Sequence, residues 1–226
     1  MDKCCSIGGK RMDIVIVAGG PPELVPDFNE LRDHHRHAVW AGVDRGVHAL
    51  LKAGITPAHA FGDFDSVTEE EREWLNRSEA DFHVFQEQKD ETDLELALNW
   101  ALSTEGEGSV WIYGATGGRL DHLLANVQML LIGVGSEKNM ILADRQNRVR
   151  LLSPGTYEIR SEMPYVSLIP FTSDVRGITL TGFKYNAIDL DLKAGTSRGV
   201  SNEIHEALGT LVFKEGLLLV LETGDR

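Results

Sequence analysis

The feature that most constrains this chain is a change of rhythm near residue 145. Before it, short β-branched apolar runs alternate with stretches of helix length; after it, strand-like runs follow one another with almost no helical period. In the first part, segments 13–19, 38–43, 58–61, 82–85, 109–113 and 139–143 read as strands. The run Ile14-Val15-Ile16-Val17 has no polar alternation, the pattern of a strand buried on both faces. Between these strands, one helix is expected from about Arg45 to Lys52, ended by Gly54, and another over Glu69 to Asn76. A third opens at the capping box Thr92-x-x-Glu95, with Leu94, Leu98 and Ala101 on one face. A fourth is expected to be long and amphipathic, carrying Leu120, Leu123, Leu124, Val127, Leu130 and Leu131. Strands alternating with helices predict an α/β fold: a Rossmann-like open, mostly parallel sheet.

Beyond residue 145 the runs starting at Arg148, Gly155, Tyr165, Val175, Phe183, Leu211 and Leu217 are separated by Gly, Pro or Asp turns. They predict an antiparallel sandwich or barrel. The boundary falls between Ala143 and Arg148, at the polar turn Asp144-Arg145-Gln146-Asn147. That gives a leader over 1–12, an α/β domain over 13–145 and a smaller β domain over 146–226, packed closely because no long linker separates them. No apolar run reaches the roughly 18 residues that span a bilayer, and the leader lacks the apolar stretch of a secretory signal. The two cysteines, Cys4 and Cys5, are adjacent and make no disulfide framework, so a reduced, cytoplasmic setting is expected.

The formal net charge of −13 argues against nucleic acid as a partner. Most of it sits in residues 63–95, which hold 13 acidic and 3 basic side chains. Glu69, Glu70, Glu71 and Glu73 read as a solvated helix face; the aspartates around them need another reason. In open α/β sheets ligands bind beyond the carboxyl ends of the strands. Polar or glycine clusters follow five of the strands: Gly19-Gly20-Pro21-Pro22, Asp44-Arg45, Gly62 to Ser66, Gln86 to Asp93, and Gly114 to His122.

Asp44, Asp63, Asp65, Asp90 and Asp93 thus converge. Two carboxylates about 4 Å apart repel by on the order of 4 kcal/mol at an effective dielectric of 20. A cluster of them calls for a cation, and hard oxygen donors without cysteine favour Mg²⁺, which completes its shell with water and phosphate. Gly114-x-x-Gly117-Gly118 leads into a helix start that offers backbone N–H groups to an anion, with Arg119 able to grip phosphate oxygens in two places. It is not a P-loop, which needs G-x-x-x-x-G-K-[ST]. Carboxylates, cation, glycine turn and arginine together point to phosphoryl transfer from a nucleotide.

Other candidates read as structural. His34-His35-Arg36-His37 is expected at the surface, and Trp40, Trp74, Trp100 and Trp111 in the core. Ser66 and Ser201 have no base-and-orienter arrangement nearby that would make a hydrolase triad.

G-D-F-D-S at 62–66, K-D-E-T-D-L-E at 89–95, G-A-T-G-G-R-L-D-H at 114–122 and S-N-E at 201–203 occur in this order and spacing. On these motifs the chain resembles the bacterial thiamine pyrophosphokinases from about Asp13 to its end. The resemblance implies transfer of a diphosphate group from ATP to the primary alcohol of thiamine, with AMP released. It also implies an α/β nucleotide-binding domain, a C-terminal β-sandwich, and a homodimer that binds thiamine between subunits. By motif, Asp44, Asp63, Asp65 and Asp93 are the Mg²⁺ ligands it implies. Gln86, Lys89, Asp90, Thr92, Gly117, Gly118 and Arg119 are the nucleotide contacts, and Ser201 and Asn202 meet thiamine. Arg119, Asp65 and Asp121 are the residues expected to act on the reacting groups, with Asp121 or a metal ligand as proton acceptor and His122 as second choice. Two other readings stand beside this one. A haloacid dehalogenase-type phosphatase would use Asp63-Phe64-Asp65, although the strand before it is short and interrupted by Pro57. A non-catalytic nucleotide-binding regulator would bind ATP–Mg²⁺ without turnover.

Overall fold

The computed structural model describes residues 11–62, 81–84 and 90–225. Six strands run parallel: β1 (Ile14–Val17), β2 (Val39–Val43), β3 (His59–Gly62), β4 (Asp81–Val84), β5 (Gly108–Tyr113) and β6 (Lys138–Ala143). Their order across the sheet is β4-β3-β2-β1-β5-β6. The chain builds outward from β1 to β4, then crosses to the other side of β1 for β5 and β6. The loops after β1 and β5 therefore leave in opposite senses, the arrangement that opens a crevice at the carboxyl edge.

All four residues of β1 are fully buried, as the unbroken apolar run requires. Ile14 and Ile16 point into one apolar cluster and Val15 and Val17 into another, the alternation of a strand. Burying each such side chain contributes roughly 1.5–3 kcal/mol. The first cluster receives Leu94, Ala97, Leu98 and Ala101 of the helix Asp93–Ser103. Its N-cap is Thr92, whose hydroxyl accepts from the Glu95 N–H at 3.2 Å, as the capping box predicts. On the opposite face lie α1 (Phe28–His34) and α2 (Arg45–Lys52), which bury Leu31 and Leu50. The Asp93–Ser103 helix is α3 below. The expected helix over Glu69 to Asn76, and Trp74 on it, lie outside the described residues.

At the polar turn after β6 the chain makes a hairpin into β7 (Asn147–Leu152), with Ala143 opposite Arg148. The Asp144 carboxylate fixes that turn by accepting from the Gln146 N–H at 2.7 Å and Asn147 Nδ2 at 2.9 Å. The same sheet continues, now antiparallel, through β12 (Glu215–Thr223) and β9 (Tyr165–Thr181). The second half of β9 pairs instead with β10 (Ala187–Leu192) and β11 (Gly209–Phe213), and β11 pairs with β8 (Gly155–Ile159). The result is a mixed sheet with helices on both faces of its parallel part. A separate apolar cluster built from β7 to β12 includes Ile159, Val175, Ile178, Leu211 and Phe213. Val149, Phe171 and Leu219 pack into the core of the parallel part, so the two halves of the chain share packing.

Four expectations need correction. The long amphipathic helix is α4 (Leu120–Gln128), nine residues only, followed by a 3₁₀ stretch (Met129–Gly133). Of its apolar set Leu130 alone is buried, while Leu120 and Leu124 are 67% and 58% exposed; periodicity identifies an apolar stripe but not what covers it. The runs at Tyr165 and Val175 are one strand of 17 residues, bent where Thr172 and Gly177 adopt φ of 66° and 70°. The run from Phe183 to Leu192 is a strand only from Ala187, because Phe183 bridges to Ile204 instead. His35 is buried, not at the surface: its Nε2 lies 3.0 Å from the Tyr113 hydroxyl. Desolvation, followed by the neighbouring His34, lowers its pKa to about 4. Trp40, Trp100 and Trp111 are half-buried against the core clusters. No helix among the described residues is long and apolar enough to cross a membrane.

Candidate functional site

The carboxyl edge of the parallel strands is held together through its backbone. The Ala18 N–H donates to the Tyr113 carbonyl at 2.8 Å and the Gly20 N–H to the Gly114 carbonyl at 2.7 Å, which locks the loop after β1 onto the turn after β5. In that turn Gly114, Gly117 and Gly118 have φ of 66°, 72° and 64°. Only residues without a Cβ take three left-handed positions in five without strain, and the turn so formed delivers the chain into the N-terminus of α4.

Asp44 follows β2 and caps α2 in a left-handed conformation, φ 51°. Its N–H donates to the Phe61 carbonyl at 2.9 Å, so it stands beside the end of β3. A Cβ placed on Gly62 would lie 2.8 Å from Asp44 Oδ1. The carboxylate therefore rests against the backbone from which the Asp63-Phe64-Asp65 segment departs. Asp63, Asp65, Gln86 and Lys89 lie outside the described residues. Asp90 and Thr92 are exposed just before α3, and half-buried Asp93 is the first residue of that helix. No group of three or more His, Cys, Asp or Glu side chains placed to hold a metal ion occurs among the described residues.

Arg119 precedes α4, and Asp121 lies in its first turn. Their side chains form a two-pronged pair: Nε to Oδ1 at 3.1 Å and Nη2 to Oδ2 at 2.6 Å. Asp121 also accepts from the His122 N–H at 2.9 Å. The Arg119 hydrogen bond, then that of His122, pulls the Asp121 carboxyl down to about 2, and the same pair raises Arg119. Both side chains are mostly exposed, so the pair can open at small cost when a stronger anion arrives.

Ser201 and Asn202 sit on a different part of the fold. Ser201 is exposed with φ 59°, and its N–H donates to the hydroxyl of buried Ser167 at 2.9 Å. Asn202 is only 8% exposed. Its Oδ1 accepts from the N–H groups of Tyr185 and Glu203, and its Nδ2 donates to the Tyr185 carbonyl. It therefore braces this segment from within, and the side chain it presents to solvent is Tyr185, 63% exposed. Val166, which pairs with Asn202, lies level with the carboxyl ends of the parallel strands, as successive partners Tyr165–Thr223–Asn147 and Arg148–Ala143 show. It is nevertheless four strands from β5 in the sheet order. At about 4.8 Å per strand that is about 19 Å from the glycine turn.

Three further side chains stand out in the structure. Thr116 in the glycine turn is buried, and its hydroxyl has no hydrogen-bond partner among the described residues. Asn126 of α4 donates from Nδ2 to the Ala115 carbonyl at 2.7 Å. Tyr185 is an exposed ring in a segment expected to be a strand. Thr116 sits inside a motif already singled out, so its position was signalled; nothing in the spacing of Asn126 or Tyr185 marks them.

A parallel sheet whose carboxyl edge carries the Asp44 carboxylate against Gly62 and a glycine turn after β5, continued by antiparallel strands with a polar patch of their own, defines an α/β protein with a mixed sheet. Comparison with known proteins narrows that class. Residues 32–142 match the family described as thiamin pyrophosphokinase, catalytic domain, and residues 156–218 the thiamin pyrophosphokinase, vitamin B1 binding domain. The thiamine pyrophosphokinase of Bacillus subtilis is 44% identical over 214 residues, 94% of this chain and 99% of that protein. Its crystal structure superposes with a TM-score of 0.87 at 43% identity, covering 95% of this chain and all of the other. That of the Geobacillus thermodenitrificans enzyme gives 0.85 at 40% identity, covering 95% and 98%. The chain belongs to the thiamine pyrophosphokinase family.

Proposed function

We propose that this chain transfers the diphosphate group of ATP to the hydroxyethyl group of thiamine, giving thiamine diphosphate and AMP. The observation that carries the reading is the meeting of the Asp44 carboxylate with the backbone at Gly62, which enters Asp63, on the same carboxyl edge as the glycine turn locked to Gly20. Full-length membership of the family supplies the substrates.

The donor set fits Mg²⁺: Asp44 stands next to the chain entering Asp63 and Asp65, and all the candidate ligands are hard carboxylate oxygens. Asp44, Asp63, Asp65 and Asp93 would hold the ion, which when bound neutralises charge on the phosphate oxygens as the bond to AMP breaks. The remaining work falls to the chain. Gln86, Lys89, Asp90 and Thr92 position the nucleotide, and the amides of Gly117 and Gly118 with the guanidinium of Arg119 hold the phosphates. The thiamine oxygen attacks the β-phosphorus; the bond from that phosphorus to the α,β-bridging oxygen breaks, and its electron pair leaves with AMP. The alcohol proton passes to a carboxylate. Asp121, paired with Arg119, is a weak base, so it serves as acceptor only after Arg119 has turned to phosphate.

The 13–145 part acts as the Rossmann-like nucleotide-binding domain and the 146–226 part as the β-sandwich that contributes Ser201, Asn202 and Tyr185 to the thiamine side. The five strand steps, about 24 Å, from the glycine turn across β9 to Asn202 support a homodimer in which one subunit's β domain completes its partner's site. The uncovered Leu120 and Leu124, next to Arg119, support the same arrangement. A cytoplasmic setting follows from the absence of any disulfide framework in the sequence. Incubating protein, ATP, Mg²⁺ and thiamine tests the reading: AMP and thiamine diphosphate appear together and in equal amounts. Release of inorganic phosphate would instead favour the phosphatase, and binding of ATP–Mg²⁺ without turnover the regulator.

A further inference from the structure

Helix α4 begins with the motif residues Arg119 and Asp121, yet none of its nine residues is buried. Val127, near its end, packs partly buried against the core, whereas Leu120 and Leu124 at its start are exposed, so the core does not anchor the first turn. A side-chain tie from the helix to the glycine turn runs through Asn126, whose Nδ2 donates to the Ala115 carbonyl at 2.7 Å. Asn126 lies seven residues beyond Arg119, two helical turns along the same face. Ala115 is buried, so its carbonyl depends on a protein donor. The next side chain does not share that task, because the Thr116 hydroxyl makes no hydrogen bond among the described residues. The turn is thus pinned at Gly114 by the Gly20 N–H and at Ala115 by Asn126, and left-handed Gly117 and Gly118 carry it on to Arg119.

We propose that Asn126 is a positioning residue for the transfer step: by holding the Ala115 carbonyl it fixes the glycine turn against the first turn of α4 and so sets where Arg119 meets the phosphates. This rests on the reading of Arg119 as a phosphate contact. The test is a double-mutant cycle on the full chain with Asn126→Leu, Arg119→Gln and both together, read as kcat and KM for ATP and for thiamine. Asn126→Leu lowers kcat/KM for ATP by about tenfold, the worth of one well-made hydrogen bond, and leaves the KM for thiamine unchanged. In the Arg119→Gln background the same change costs less than about twofold, because the group through which Asn126 acts is gone. Should the leucine variant not fold, Asn126→Ser is read in the same cycle. A tenfold loss that persists without Arg119, or activity unchanged by either Asn126 variant, overturns the proposal. No effect of Arg119→Gln alone overturns the phosphate reading of Arg119 instead, so the two failures are told apart.

Discussion

Replacing Gly114 by alanine separates backbone strain from backbone collision at the heart of the site. Gly114 has φ 66°, and a Cβ there would fall 2.3 Å from the Ala18 carbonyl oxygen. A carbon meets such an oxygen comfortably at about 3.3 Å, so β1 and the turn would have to part by about 1 Å. They are held together by the Ala18–Tyr113 and Gly20–Gly114 hydrogen bonds, 2.8 and 2.7 Å long. A left-handed alanine costs about 1–2 kcal/mol, and weakening one of those bonds about 1 kcal/mol more, for a total of about 2–3 kcal/mol of stability. A displacement of that size beside the reacting groups costs about 10²-fold in turnover. Gly118 is the control: its φ is 64°, but the nearest atom to an added Cβ is Pro21 Cδ at 3.8 Å. Gly118→Ala therefore carries the strain without the collision, about 1–2 kcal/mol, and keeps turnover within about tenfold of the parent. Urea unfolding at fixed pH gives the stabilities, and initial rates of AMP formation give the activities. Equal losses in the two variants, in stability or in rate, would refute the reasoning that the turn is set by its fit against Ala18.

Asp44→Asn keeps a residue that tolerates a left-handed backbone but removes a charge from the proposed Mg²⁺ ligand set, and is expected to cut Mg²⁺-dependent AMP formation by about 10²-fold or more while the metal-free protein unfolds at an unchanged or higher urea concentration. His35 carries a folded pKa near 4 against an ordinary 6.5, so the unfolded chain binds its proton first as pH falls. Stability is then fully present above about pH 6.5 and is lost towards pH 4, by about 3 kcal/mol; His35→Phe flattens that part of a urea-unfolding pH series, and an unaltered slope would count against it. Leu124→Glu places a charge on the uncovered face of α4 and is expected to convert a dimer to monomer by sedimentation, with activity lost in step; an active monomer would remove the case for a shared site. Tyr185→Ala raises the KM for thiamine about tenfold and leaves that for ATP alone, whereas Tyr185→Phe behaves as the parent. Equal effects of the alanine variant on both substrates would show that the ring does not face thiamine.

The fold was legible where local pattern and tertiary burial agree. The unbroken Ile14–Val17 run could only be a central strand, and Thr92 with Glu95 marks the start of α3 to the residue. It was illegible where the same pattern admits two environments. The leucines of α4 have helical spacing whether they face a core or a second subunit, and the structure leaves Leu120 and Leu124 open. His35 reads as polar among three other polar residues; its burial is decided by Tyr113, 78 positions away. The break between the runs at Tyr165 and Val175 looks like a turn, but left-handed Thr172 and Gly177 bend one strand so that it serves two sets of partners.

For the site, sequence order placed the polar clusters at strand ends, and parallel strands put every such end on one edge. It could not say how far apart along that edge they fall, because strand order is a property of the crossovers and not of any residue's periodicity. Asp44 follows β2 and Gly62 ends the neighbouring β3, and the two meet; Ser201 and the glycine turn reach the same level but are separated by β6, β7, β12 and β9. Thiamine cannot touch both within one chain across about 24 Å of sheet. If the family's reaction needs both, the missing half must come from another copy, and the uncovered leucines beside Arg119 mark where that copy has room to dock.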